Sequence, residues 1–157
     1  MSELTDGLAR LDGEGDEETR ADAAEVLGEI GGAEAVAALT QAISDSALVV
    51  RISAALALGE AHGHAGIEAL TALLSAPEVG LRGASVIALG QIASRQSVVD
   101  LLPLAGDIEP SVRGAVAWSL GALGDVRAWE ALERLAADPD PDVADAAREA
   151  LARMEAE

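Results

Sequence analysis

The chain has 157 residues, with 28 acidic side chains against 10 basic ones, and its formal net charge is -18. The ten bases are all Arg, and Lys, Cys, Tyr and Phe are absent. This composition excludes a disulfide framework, a thiol nucleophile and a thiolate metal site, and so acidic a chain repels the phosphates of nucleic acid and anionic lipid.

In chain order, residues 3–12 come first as a lone helix, because Leu8 and Leu11 lie 31 residues before Leu39 and Ala42. Arg20, Arg51, Arg82 and Arg113 follow at an even spacing of 31, and each has a Leu-Gly pair behind it, at Leu27-Gly28, Leu58-Gly59, Leu89-Gly90 and Leu120-Gly121. Leu39, Leu70, Leu101 and Leu132 continue the same register. A repeat this regular marks stacked supersecondary units. Each unit reads as two helices, 47–60 and 65–75 in the second unit, with Val50, Ala54, Ala57 and Leu58 on one face of the first. Ile67, Leu70, Leu73 and Leu74 share a face of the second helix.

The repeat Gly is expected to serve as a C-cap and to let helices approach closely. Pro77, Pro110, Pro139 and Pro141 fall between units. Asp45, Asp107 and Asp138 precede the next first helix as caps or charge partners. In the third unit, Ala93-Ser94 replaces the Gly124-Asp125 turn, and Pro103 predicts a bend or early end of the second helix. The last helix, about 141–155, keeps Val143 but has Ala144 in place of the Arg and Ala152 in place of the Gly. The expected division is one domain: a half repeat at 1–14, units at 15–45, 46–76, 77–107 and 108–138, and a capping helix at 139–157.

The stretches Val50-Arg51-x-x-Ala54-Ala55-x-Ala57-Leu58-Gly59 and Val112-Arg113 through Leu120-Gly121-x-Leu123-Gly124-Asp125 resemble HEAT repeats. They look most like the short variety named after phycobilin lyases. The resemblance implies an all-α, right-handed solenoid with first helices on the convex side and second helices on the concave side. It also implies a structural role for Arg51, Arg82 and Arg113, bonded to a nearby Asp such as Asp107 or Asp138, or to backbone. Related deoxyhypusine hydroxylases carry a di-iron site on repeated adjacent His-Glu pairs, which are absent here. The acid excess without Lys also resembles proteins of salt-loving microbes and points to a halophilic archaeon, where salt screens self-repulsion.

A nucleophilic site or a phosphate loop is not apparent, and no cofactor is expected. His62 and His64, with Glu60 and Glu68 nearby, are the one cluster with metal-ligand chemistry, and their place in a turn suits polar loop residues equally. Two surfaces qualify for binding. On the concave side, Glu68, Ala72, Val99, Leu102, Pro103, Arg127 and Arg134 point outward and suit a helix or extended segment. On the convex side, Ile52, Leu56, Ile87 and Trp118 form an apolar row that suits a flat partner or self-association. Trp129 aligns with core positions and is read as packing.

The charge is uneven. Residues 46–106 hold 4 acids and 3 bases, whereas 1–45 hold 12 acids and 2 bases and 107–157 hold 12 acids and 5 bases. The expected function is therefore a non-catalytic scaffold or adaptor that binds a protein partner through its neutral middle. The alternative is a phycobilin-lyase-type enzyme or an accessory subunit of one. No apolar run approaches the ~18 residues of a membrane span. The polar N-terminus is unlike a secretory signal, so a cytoplasmic location without membrane insertion is expected.

Overall fold

A computed structural model describes residues 2–156, and every regular element among them is helical. α1 (Glu3–Asp12) and α2 (Glu17–Ile30) start at side-chain caps. Ser2 Oγ accepts from the Thr5 N–H at 3.2 Å, and Asp16 Oδ1 accepts from the Thr19 N–H at 2.8 Å. Each cap satisfies one of the donors that a helix start leaves open. There follow α3 (Gly32–Ala42), α4 (Leu48–Glu60), α5 (Ile67–Leu73), α6 (Val79–Ile92), α7 (Ser97–Leu101), α8 (Pro110–Leu123), α9 (Trp129–Leu135) and α10 (Pro141–Ala156).

The second helices are shorter than their sequence suggests. Single 3-10 turns, His64–Gly66 and Val126–Ala128, take up the starts of α5 and α9. In the third unit α7 stops at Leu101 and the chain continues as a 3-10 segment, Leu102–Gly106. Pro103 has no N–H to give the Val99 carbonyl, so the α-helical ladder cannot pass it.

The long helices α2, α4, α6, α8 and α10 pack on one another in succession, and α3, α5 and α9 each lie against the long helix that follows them. Two leucine columns run through the stack with no exposure at all: Leu27, Leu58, Leu89, Leu120 on the long helices and Leu39, Leu70, Leu101, Leu132 on the short ones. Each such burial stabilises the fold by about 2 kcal/mol relative to an exposed side chain.

The repeat glycines set the spacing of the long helices. A Cβ on Gly28, Gly59, Gly90 or Gly121 would come within 2.9 Å of the next long helix, meeting Ala57, Ala88, Ser119 and Ala150 in turn. Those distances are closer than real Cβ contacts, so only glycine permits the approach. At one such contact the Ser119 hydroxyl donates to the Val86 carbonyl at 2.9 Å, a buried bond between neighbouring units. The expected C-cap role falls elsewhere. Left-handed backbone occurs three residues later, at Gly31, His62, Ala93 and Gly124, with φ of 64°, 50°, 60° and 57°. The repeat therefore places a positive-φ residue after each of α2, α4, α6 and α8, and two of the four are not glycine.

Candidate functional site

Arg-Asp clamps join the units. Arg82 donates through Nε and Nη2 to both oxygens of Asp107 at 2.9 and 3.0 Å. Arg113 treats Asp138 likewise at 2.7 and 2.9 Å, and Arg20 treats Asp45 likewise at 2.9 and 2.9 Å. The third guanidinium nitrogen of Arg82 and of Arg113 donates to carbonyls at the preceding junction. Each Asp also accepts the backbone N–H two residues on, at Ala47, Glu109 and Asp140. The Asp is thus a charge partner and a turn former, while the cap positions themselves, Ala47 and Glu109, carry no side-chain cap. The bidentate guanidinium beside Asp45, Asp107 and Asp138 holds each carboxyl below the usual carboxylate range and raises Arg20, Arg82 and Arg113.

Arg51 is different. The register places Ala76 where the other junctions have Asp. Arg51 reaches Glu78 instead, through Nη2 alone at 3.1 Å, and its buried Nε has no partner among the described residues.

The concave candidates divide. Leu102, Pro103 and Arg134 line one groove of about 350 Å³ together with Ala105, Ala131 and Leu135. Val99 stands nearby in sequence with 56% of its surface exposed, and Glu68 and Ala72 are exposed on the neighbouring unit. Arg127 is exposed, and it is already paired within the chain. Its guanidinium is held by Asp125 at 2.8 and 2.9 Å and by the Arg95 carbonyl at 2.9 Å, so it ties the fourth unit to the third. That bond and the Arg127 N–H hold Asp125 far below the usual carboxylate range. Arg134 pairs with Glu130 at the surface.

Of the convex candidates, Ile52, Leu56 and Ile87 are half-buried, and Trp118 is 40% exposed. The first three line a shallow groove of about 270 Å³ with Val79, Gly80, Gly83 and Ala84. Sequence reading found its walls and missed its floor. The signal was present: Gly80 and Gly83 stand 31 residues after Val49 and Ile52, so α6 is bare where α4 carries bulk. Ile108 and Val126, 85% and 79% exposed, were also missed, because each lies in a polar junction outside the helical periodicity. Trp129 is half-buried.

His62 and His64 are both exposed, and the His62 ring bonds the carbonyl of Glu60, two residues back, at 2.8 Å. Among the described residues, no three His, Cys, Asp or Glu side chains gather as a metal site would require. No helix among them is long and apolar enough to cross a membrane.

The model of the HEAT-repeat family matches residues 4–82 and 67–152. The chain belongs to the HEAT-repeat family. No curated protein sequence matches it. Among solved structures it is similar to the CpcE–CpcF complex of phycocyanin lyase from Nostoc sp. PCC7120, at 24% identity and a TM-score of 0.86, over 98% of this chain and 65% of that one. It is also similar to YibA of E. coli (22%, TM-score 0.76, 98% of this chain and 59% of that one). Human deoxyhypusine hydroxylase is a third (15%, TM-score 0.60, 99% and 96%). The chain thus spans less than two thirds of the phycocyanin lyase subunit it matches.

These likenesses establish the helical-repeat fold and correct one expectation. The sequence argued for a non-enzyme because it holds no recognisable nucleophile or metal cluster. Two of the three structures named here are enzymes, so the architecture points against that assignment.

Proposed function

We propose that this chain is a partner-binding subunit of an enzyme assembly of the phycocyanin-lyase type, holding another protein against its central repeats. One observation carries this reading: both apolar grooves named above involve the second to fourth units, inside or beside the stretch 46–106, which has nearly balanced charge in a chain of -18. Exposed apolar surface on so charged a protein marks a place that something else covers. The likeness to a lyase solved as a two-protein complex supports the choice of assembly. The repeat division given above belongs to the same proposal, each unit burying its face only against its neighbours.

A second reading, an adaptor joining two proteins, is favoured by the placement of the two grooves, one on the long helices and one on the short. The acidic surface fits a salt-rich setting, in which the melting temperature should rise markedly from low to molar salt.

Two measurements test the reading. Titration with a free bilin should shift the bilin absorbance and saturate near one equivalent; an unchanged spectrum counts against the lyase type. Affinity capture should be run with wild type beside Leu56→Glu/Ile87→Glu and Val99→Glu/Leu102→Glu. If both folded variants keep every partner, the central repeats are not the docking region.

A further inference from the structure

Three grooves follow one another across the long helices. The first, between α2 and α4, is lined by Glu25, Glu29, Glu60 and Leu56. The second, over α4, α6 and α8, has no charged residue in its lining. The third, between α8 and α10, is lined by Ser111, Gly114, Asp140 and Asp142. Leu56 belongs to both the first and the second, and Ser111 to both the second and the third. The three therefore adjoin in one row, here called the furrow, acidic at each end and apolar in the middle.

The floor is open for a physical reason. A Cβ added to Gly83 would meet nothing within 4 Å, and one added to Gly80 would touch only Ile52. Ile52 and Leu56 of α4 form one wall of the trough and Ser111 and Ala115 of α8 the other, while Trp118 lies outside its lining.

We propose that this furrow receives a helix of another protein, apolar along one side and basic at both ends. The charge pattern selects the occupant. Apolar side chains would fill the centre, and Lys or Arg at each end would meet the Glu25–Glu29–Glu60 and Asp140–Asp142 groups. Packed helices lie about 9–10 Å apart, so the acidic patches, three helix spacings apart, are separated by roughly 27–30 Å. At 1.5 Å per residue a helix of about 18–20 residues spans that distance. A second copy of this chain is the wrong occupant. A two-fold pairing of furrows sets acid against acid at both ends, and such juxtapositions reject partners. The proposal rests on the partner-binding reading above and names the partner's chemistry.

The test uses a labelled synthetic helix of 20 residues, Leu and Ala on one side and three Lys at each end, and a twin with Glu in place of Lys. Fluorescence anisotropy against the full chain should give at least tenfold tighter binding of the Lys-ended peptide. Gly83→Leu should weaken that binding at least tenfold. This variant changes no charge, puts bulk only into open space and replaces a mid-helix glycine, so its melting temperature should not fall. Val99→Glu/Leu102→Glu should bind as wild type does.

Equal binding by Gly83→Leu would reveal diffuse attraction to an acidic protein and overturn the proposal. So would equal binding of the Glu-ended twin, or no binding at all. Loss confined to Val99→Glu/Leu102→Glu would overturn the furrow while leaving the partner-binding reading intact. A wild-type dimer by light scattering that Gly83→Leu disperses would hand the furrow to a second copy.

Discussion

After the long helices α2 and α8, the left-handed turn is filled by Gly31 and Gly124; after α4 and α6, which lie between them, it is filled by His62 and Ala93. An L residue there is strained by about 1–2 kcal/mol. Other irregularities cluster in the same middle. The incomplete clamp is that of Arg51, the second helix broken by proline is α7, and the apolar trough is cut by Gly80 and Gly83. Complete clamps stand at Arg20, Arg82 and Arg113, so Arg51 alone breaks that series, and the ends carry the side-chain caps on α1 and α2 and most of the charge. The non-glycine left-handed turns, the incomplete clamp and the broken helix all fall in the units that line the apolar trough or adjoin it. Such concentrated departures mark a region shaped by something other than stability.

Substitutions can break or sharpen this contrast. The largest effect is expected from Asp107→Ala, which removes a bidentate clamp and the turn bond to Glu109: a loss of about 2–3 kcal/mol. Glu78→Ala, at the incomplete junction, should cost less than about 1 kcal/mol. Comparable losses in the two variants, read by urea unfolding, would erase the distinction between the junctions.

Next comes repair. Ala76→Asp supplies the missing partner for Arg51 and an acceptor for the Glu78 N–H, and should gain about 1 kcal/mol, or roughly 2–4 °C in Tm. Its pH dependence is diagnostic. A carboxyl held below its ordinary value by Arg, as Asp45, Asp107 and Asp138 are, stabilises the fold fully above about pH 4–5 and loses its effect as the pH falls through the lowered value. The gain from Ala76→Asp should therefore be present at pH 7 and shrink as the pH falls below the ordinary carboxylate range. A gain that persists in acid would mean that the new side chain acts by something other than a clamp. The smallest effect is that of Ala93→Gly, about 0.5–1 kcal/mol of stabilisation, since relief of left-handed strain outweighs the entropy glycine adds to the unfolded chain. The same change at an ordinary helical alanine such as Ala88 should destabilise.

The repeat was legible because Arg20, Leu27, Gly28 and Leu39 recur at a fixed interval, and a solenoid writes its contacts into such intervals. The clamp partners were legible for the same reason, and so was the gap at Ala76, although the sequence reading did not use it. The trough was half legible. Periodicity points to side chains that project, such as Leu56 and Ile87, and is silent about the space that Gly80 and Gly83 leave empty. The pairing of Arg127 was not legible, because spacing gives the direction of a side chain but not its partner, although Asp125 lies only two residues away. The expectation of a non-enzyme rested on the lack of a motif, and the likeness to phycocyanin lyase and deoxyhypusine hydroxylase points against it.

Hydrogen exchange read by mass spectrometry, on the free chain and with the Lys-ended helix bound, tests the central claim most directly. In the free chain, amides around Ala61–Gly63 and Ile92–Ser94 should exchange faster than those around Gly31 and Gly124, and the bound helix should protect α4 and α6 over Ile52–Leu56 and Gly80–Ile87. Uniform exchange along the stack, or protection confined to the ends or to the short helices, would contradict it.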